Sequence, residues 1–288
     1  MTIRYLSFAF NGCLFNARFL ERVSKQGIGK AVQSANDVLL KQLKKEGKAF
    51  TQTNVFIGST QGDFNPSHCP AALAISKALK AKPDPLLMED ILKERPSGES
   101  FHRTIKSLID NRSIPHPADG KAGHSIIPLL FAQLYKAAQD NPDEGIVFEL
   151  WTGSREDIDE IEKIFTKHPH FIPAKIQLFL RLYDGQMYEL KIPLKSNGSI
   201  TTLPNPLRLA AIMDMNLERL DLFSKGLPDF VQPVSSAIYP QVKTLSPPTH
   251  VDDDDTVETI SSSLFFSHKP SKHANIATTN LPVPGLKQ

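Results

Sequence analysis

Cysteine, tryptophan and an excess of charge of either sign are all scarce in this chain. Its 288 residues hold two cysteines and one tryptophan, and 33 basic against 31 acidic residues leave a net charge of +2. Cys13 and Cys69 supply neither a disulfide framework nor a zinc quartet, and they fit a reducing compartment. The near-balance of charge gives no field that argues for nucleic acid or for a membrane surface. No apolar run reaches the roughly 18 residues that a membrane span requires. The apolar stretch near the start follows Arg4 alone and is interrupted by Asn11, so it reads as a buried strand and not as a signal peptide. No internal repeat is visible. What the chain does have is a 40% hydrophobic share, enough for a real core, in a length that suits about one or two domains.

Residues 3–10 are β-branched and aromatic and stop at Asn11-Gly12, the pattern of a buried strand running into a turn. Residues 17–46 have helical periodicity, with Val32, Ala35, Val38, Leu39 and Leu43 on one face and Gly47 as a C-cap. Residues 54–58 are a second apolar run, stopped by Ser59-Thr60. Helical pieces at 71–81, 85–94 and 99–110, separated by prolines, read as a helical insertion over 60–120. A helix at 125–139 ends at Asn141-Pro142. A strand follows at 146–151, a helix at 155–167, and a hairpin over 175–192 about Asp184-Gly185. Strands alternating with helices predict a three-layer, Rossmann-like α/β fold with a largely parallel sheet. The core is expected over 1–59 and 121–230. The polar stretch 240–288, with its Asp252–Asp255 run, is expected to be a disordered tail.

Three strand ends occur in order: Ala9-Phe10-Asn11-Gly12, Ser59-Thr60 and Thr152-Gly153-Ser154. Ligand sites in open α/β sheets lie beyond strand carboxyl ends, so these loops are expected to meet in one crevice. LSFAFNGCLF resembles motif I of the haloacid dehalogenase (HAD) superfamily, hhhhDxDGxLF. VFIGS resembles its motif II, and IVFELWTGSREDI its motif IV. Wider stretches such as PSGESFHRTI and PHFIPAKIQLFLRLYDG are similar to HAD-like type IV secretion effectors of Legionella-type bacteria. The resemblance covers roughly residues 1–200. It implies a HAD-like core, a helical cap at 60–120, and delivery into a host cell cytosol; without it, a cytoplasmic protein is expected.

The departures from the motifs are informative. The family's nucleophilic aspartate falls on Ala9 and its general acid/base on Asn11. Either register of motif IV places its acidic pair within Thr152, Gly153 and Ser154. HAD chemistry needs a carboxylate that attacks phosphorus, a second carboxyl that moves a proton, and anionic oxygens for magnesium. Losing one member of such a set costs on the order of 10⁶ in rate, about 8 kcal/mol. The resemblance therefore implies a pseudoenzyme with no metal site and no cofactor, magnesium entering only if motif IV keeps carboxylates after all. It would act by binding a host protein or a phosphorylated ligand. Asn11, Gly12, Cys13, Ser59 and Lys121, the candidate for motif III, are the expected ligand-binding residues. The plainer reading is that Asn11 and Ser59 satisfy their own loops. Two rivals stay open: a phosphatase or phosphotransferase using Glu149, Glu156 or Asp157, and a scaffold that binds partners through the cap. His168-Pro169-His170, Ser67-His68-Cys69 and Gly27-Ile28-Gly29-Lys30 resemble fragments of metal, triad and phosphate-loop motifs, but each lacks the remaining partners or spacing.

Overall fold

The computed structural model describes residues 1–60, 62–111, 125–186, 188–190, 193–196, 198 and 210. Lys121, the 112–120 part of the expected cap and the 240–288 tail lie outside the described residues. Strand β1 (Thr2–Phe8) is followed by helices α1 (Ala17–Gln26), α2 (Ile28–Ala35) and α3 (Asp37–Glu46). Then come β2 (Gln52–Ile57), α4 (His68–Leu79), a short β3 (Lys82–Pro83), α5 (Met88–Leu92) and α6 (Glu99–Asn111). The rest is α7 (Ile127–Asp140), β4 (Gly145–Thr152), α8 (Arg155–Lys167), β5 (Ile176–Tyr183), β6 (Tyr188–Leu190) and β7 (Leu194–Lys195).

The sheet runs β3-β2-β1-β4-β5-β6, with β7 also on β5. Strands β1 to β5 pair in parallel; β6 and β7 add antiparallel to β5. From β1 the chain winds outward to β2 and β3, then returns to β4 and β5 on the other side. Such an order puts a topological switch point between β1 and β4. Strand residues alternate between two cores. Leu6, Phe8, Val55, Ile57 and Trp151 pack under α1–α4, and Ile3, Tyr5, Phe56, Phe148 and Leu150 under α5, α7 and α8. The result is the three-layer, Rossmann-like α/β arrangement expected from the alternation of elements.

One local expectation is corrected. The 17–46 stretch is three helices, not one. It breaks at Gly27, whose φ of 73° suits glycine, and at Asn36. The Asn36 amide donates to the carbonyls of Leu14 and Val32, and its Oδ1 accepts from Asn16 and Tyr183. That break resets the helical phase, so Val38 faces out at 70% exposure instead of joining Leu39 and Leu43. Gly47 caps α3 in a right-handed conformation and runs into a 3-10 turn, Gly47–Ala49. Within residues 60–120, α4 packs on α2, α3 and β2, and β3 extends the sheet beside β2.

Candidate functional site

The carboxyl ends of β1, β2 and β4 lie side by side, because β1 is hydrogen-bonded to both neighbours along its length. The ladder continues one step past the strands. Gly58 N–H donates to Phe8 O at 2.7 Å and Ala9 N–H to Trp151 O at 2.8 Å. After Ala9 the chain turns tightly. The N–H groups of Cys13 and Phe15 both donate to Phe10 O, and Gly12 takes φ 70°. Phe10 turns inward and is fully buried. The three loops therefore lie side by side at the carboxyl edge of the sheet.

Glycines decide how closely these loops approach. A Cβ on Gly153 would sit 2.4 Å from the carbonyl carbon and oxygen of Gly12. A Cβ on Gly58 would sit 2.7 Å from Ser7 Oγ and 2.9 Å from the Phe8 carbonyl carbon. Both are below any contact a side chain makes, so backbone packs directly on backbone on each side of Ala9. Polar side chains complete the join. The Asn11 amide donates to Asp63 O at 2.9 Å, and Phe10 N–H points at Ser59 Oγ at 3.5 Å. Thr60 Oγ1 donates to Asp63 Oδ2, and Thr152 Oγ1 to Asp157 Oδ2. Ser154 is the N-cap of α8: its Oγ accepts the Asp157 N–H at 3.0 Å. These bonds are what strand-end loops and a helix start need for themselves.

Two of the expected anion ligands are engaged within the loops themselves. The Cys13 N–H is turned back on Phe10, and the Asn11 amide is committed to Asp63. The charge at the crevice also differs from a neutral pocket. Asp63, absent from the sequence reading, approaches Asp157 from the β2 loop. The Asp157 carboxyl is held above its ordinary range, first by burial. Hydrogen bonds to Thr152 and Ser154 oppose that shift, and the charges of Asp63 and Glu156 add to it. Glu149 lies away from this chemistry. It is buried along β4, accepting from Arg4 Nε at 2.8 Å, with Arg181 Nε at 3.5 Å. Arg4 in turn holds Glu46 and the Leu43 carbonyl.

The remaining motif fragments resolve into packing. The His68 ring is fully buried, stacked on Phe10 at 4.9 Å and edge-on to Phe15 at 5.1 Å. Burial pushes its pKa down to about 3 and pushes the neighbouring Cys69 thiol up, so neither base nor thiolate is poised for a triad. His168 stacks on Phe171 at 5.1 Å. Gly27 to Lys30 form the entry to α2. Trp151 is buried core beside Phe8 and Tyr183. Among the described residues, no group of three His, Cys, Asp or Glu side chains comes together as a metal site. Comparison with protein-family models, curated proteins and solved structures finds no match to this chain.

Proposed function

We propose that this chain is a HAD-like pseudoenzyme that acts by binding a protein partner. One observation carries the reading. At the switch point of the sheet, where covalent phosphoryl transfer needs a nucleophilic carboxylate and a second acid, stand Ala9 and Asn11. The third contributing loop, Thr152 to Ser154, brings no carboxylate and is pressed against Gly12 through Gly153. A methyl group cannot attack phosphorus, and an amide that donates to Asp63 O cannot exchange a proton at neutral pH. A protein partner is favoured over a phosphorylated ligand because Asp63 and Asp157 place negative charge beside the crevice, which opposes a phosphate dianion. Action inside a host cell after type IV secretion belongs to this reading through the resemblance alone. The experiment is intact-mass analysis of the full chain after exposure to acetyl phosphate and magnesium. An unmodified mass supports the reading, and a phosphoryl adduct on any carboxylate overturns it.

The charge of Asp63 acting on the half-buried Asp157 favours a second reading, hydrolysis by displaced acids. A carboxyl with a raised pKa is what a general acid requires. The same Asp157, however, sits in the first turn of α8, where it accepts from Thr152 and its N–H is capped by Ser154, and that capping accounts for its placement.

A further inference from the structure

The net charge of +2 conceals a partition that only the fold reveals. The stretch 17–50, which builds α1–α3 on one face of the sheet, carries eight basic and three acidic residues. On the opposite face α8 carries five acidic and three basic residues. The positive charge gathers further at one place. Helix α3 ends in Lys44 and Lys45, the 3-10 turn after it holds Lys48, α4 ends at Lys80, and β3 starts with Lys82. Because α3 packs on α4 and β3 pairs with β2, with Lys82 opposite Asn54, these five lysines share one rim at the amino ends of β2 and β3. All five are exposed.

Among the described residues, four acids near this rim are already engaged, while Asp143 is exposed. Glu46 is paired with Arg4 at 2.8 Å and Asp84 with Lys136 at 2.9 Å. Asp140 also takes Lys136, and Glu144 takes the amino terminus. Complementing the helix dipole explains Lys44 and Lys45 in the last turn of α3, but not Lys82, which starts a strand. Lys80 stands at a left-handed C-cap, φ 55°, where glycine is the residue without steric cost. The backbone there gives no reason for a lysine.

We infer that this rim is a docking surface for an anionic phospholipid bilayer. The rim has point charges in place of the guanidinium forks that read phosphates bidentately. The aromatic ring in it, Phe50, is only half-exposed and carries the Arg4 guanidinium over its face at 5.3 Å, so it offers no platform for stacking bases. Lysines spread over helix ends and a strand start match a surface of many mobile anionic headgroups. Each contributes roughly a fivefold gain in affinity near such a surface. Docked this way, the acidic α8 layer stays away from the lipid. The crevice, at the carboxyl ends of the strands, is left open for a partner. The inference does not depend on how the crevice is read.

The test is co-sedimentation of the full chain with phosphatidylcholine vesicles, with and without phosphatidylserine, at low and high salt. Binding should require phosphatidylserine and fade with salt. Replacing Lys44, Lys45 and Lys48 together by glutamine should weaken it roughly 100-fold, and Lys80→Gln with Lys82→Gln about 25-fold. Lys163→Gln with Lys167→Gln on α8 should leave it unchanged. Because every substituted side chain is exposed, the melting temperature should hold and separate lost docking from lost fold. No binding to phosphatidylserine vesicles, equal weakening by the α8 pair, or tighter binding to a short DNA duplex than to vesicles would each overturn the assignment.

Discussion

Acidification should destabilise this protein through His68, by an amount the structure sets. The ring is fully buried between aromatic side chains, and its Nδ1 accepts the Asn65 N–H at 3.4 Å. No carboxylate is among the causes of its shift; desolvation alone lowers its pKa from 6.5 to about 3. The unfolded chain takes up a proton at this histidine near pH 6.5, whereas the folded chain resists until about pH 3. Stability is therefore full above pH 6.5 and declines as pH falls toward 3. Each pH unit inside that window costs about 1.36 kcal/mol, so pH 5.0 removes roughly 2 kcal/mol relative to pH 7.5. The assay is urea unfolding at both values, for the wild type and for His68→Phe, which keeps a ring against Phe10 but cannot ionise. Any constant packing cost of the larger ring cancels in the pH difference. The wild type should lose about 2 kcal/mol more than His68→Phe between the two values. Equal losses in both proteins would refute the argument and mean that His68 is reached by water or by an acid.

Further outcomes follow from the buried charges and the close approaches. Arg4→Met should destabilise by roughly 3–5 kcal/mol in chemical denaturation, since it strands the Glu149 carboxylate inside the sheet, and Glu149→Leu added to it should recover much of the loss. Gly153→Ala should cost at least roughly 1–3 kcal/mol in the same assay, because its methyl would meet the Gly12 carbonyl group and the two loops must part. The raised pKa of Asp157 disfavours its carboxylate in the fold, so stability from this group is lost as pH rises from its ordinary value of 3.8 through the raised one. Asp157→Asn should therefore gain on the wild type in melting temperature as pH rises from 4 toward 7.

The parts of the fold that local patterns encode were legible. Buried runs ending in Asn11-Gly12, Ser59-Thr60 and Thr152-Gly153 mark three parallel strands, and their order with the intervening helices is enough to bring the loops together. The break at Asn36 was not legible, because its cause is a set of bonds to Leu14, Asn16 and Tyr183, partners far away in the chain. Asp63 was missed for a similar reason. It lies in a loop with no strand or helix period, and the bonds from Asn11 and Thr60 that tie it to the strand ends appear only in the fold. Arg4 gave no sign beyond a charge beside an apolar run, yet it is one of the largest fully buried side chains and anchors Glu149 and Glu46. Charge partition escaped composition altogether, since the excess of basic residues over 17–50 is offset by acidic residues elsewhere in the chain.

Steady-state turnover of an aryl phosphate by the purified full chain, with magnesium and with chelator, tests the pseudoenzyme reading most directly. The account predicts background rates under both conditions, unchanged in Asp63→Asn and Asp157→Asn. Turnover above background that falls with either substitution would contradict it and establish the displaced acids as a working pair.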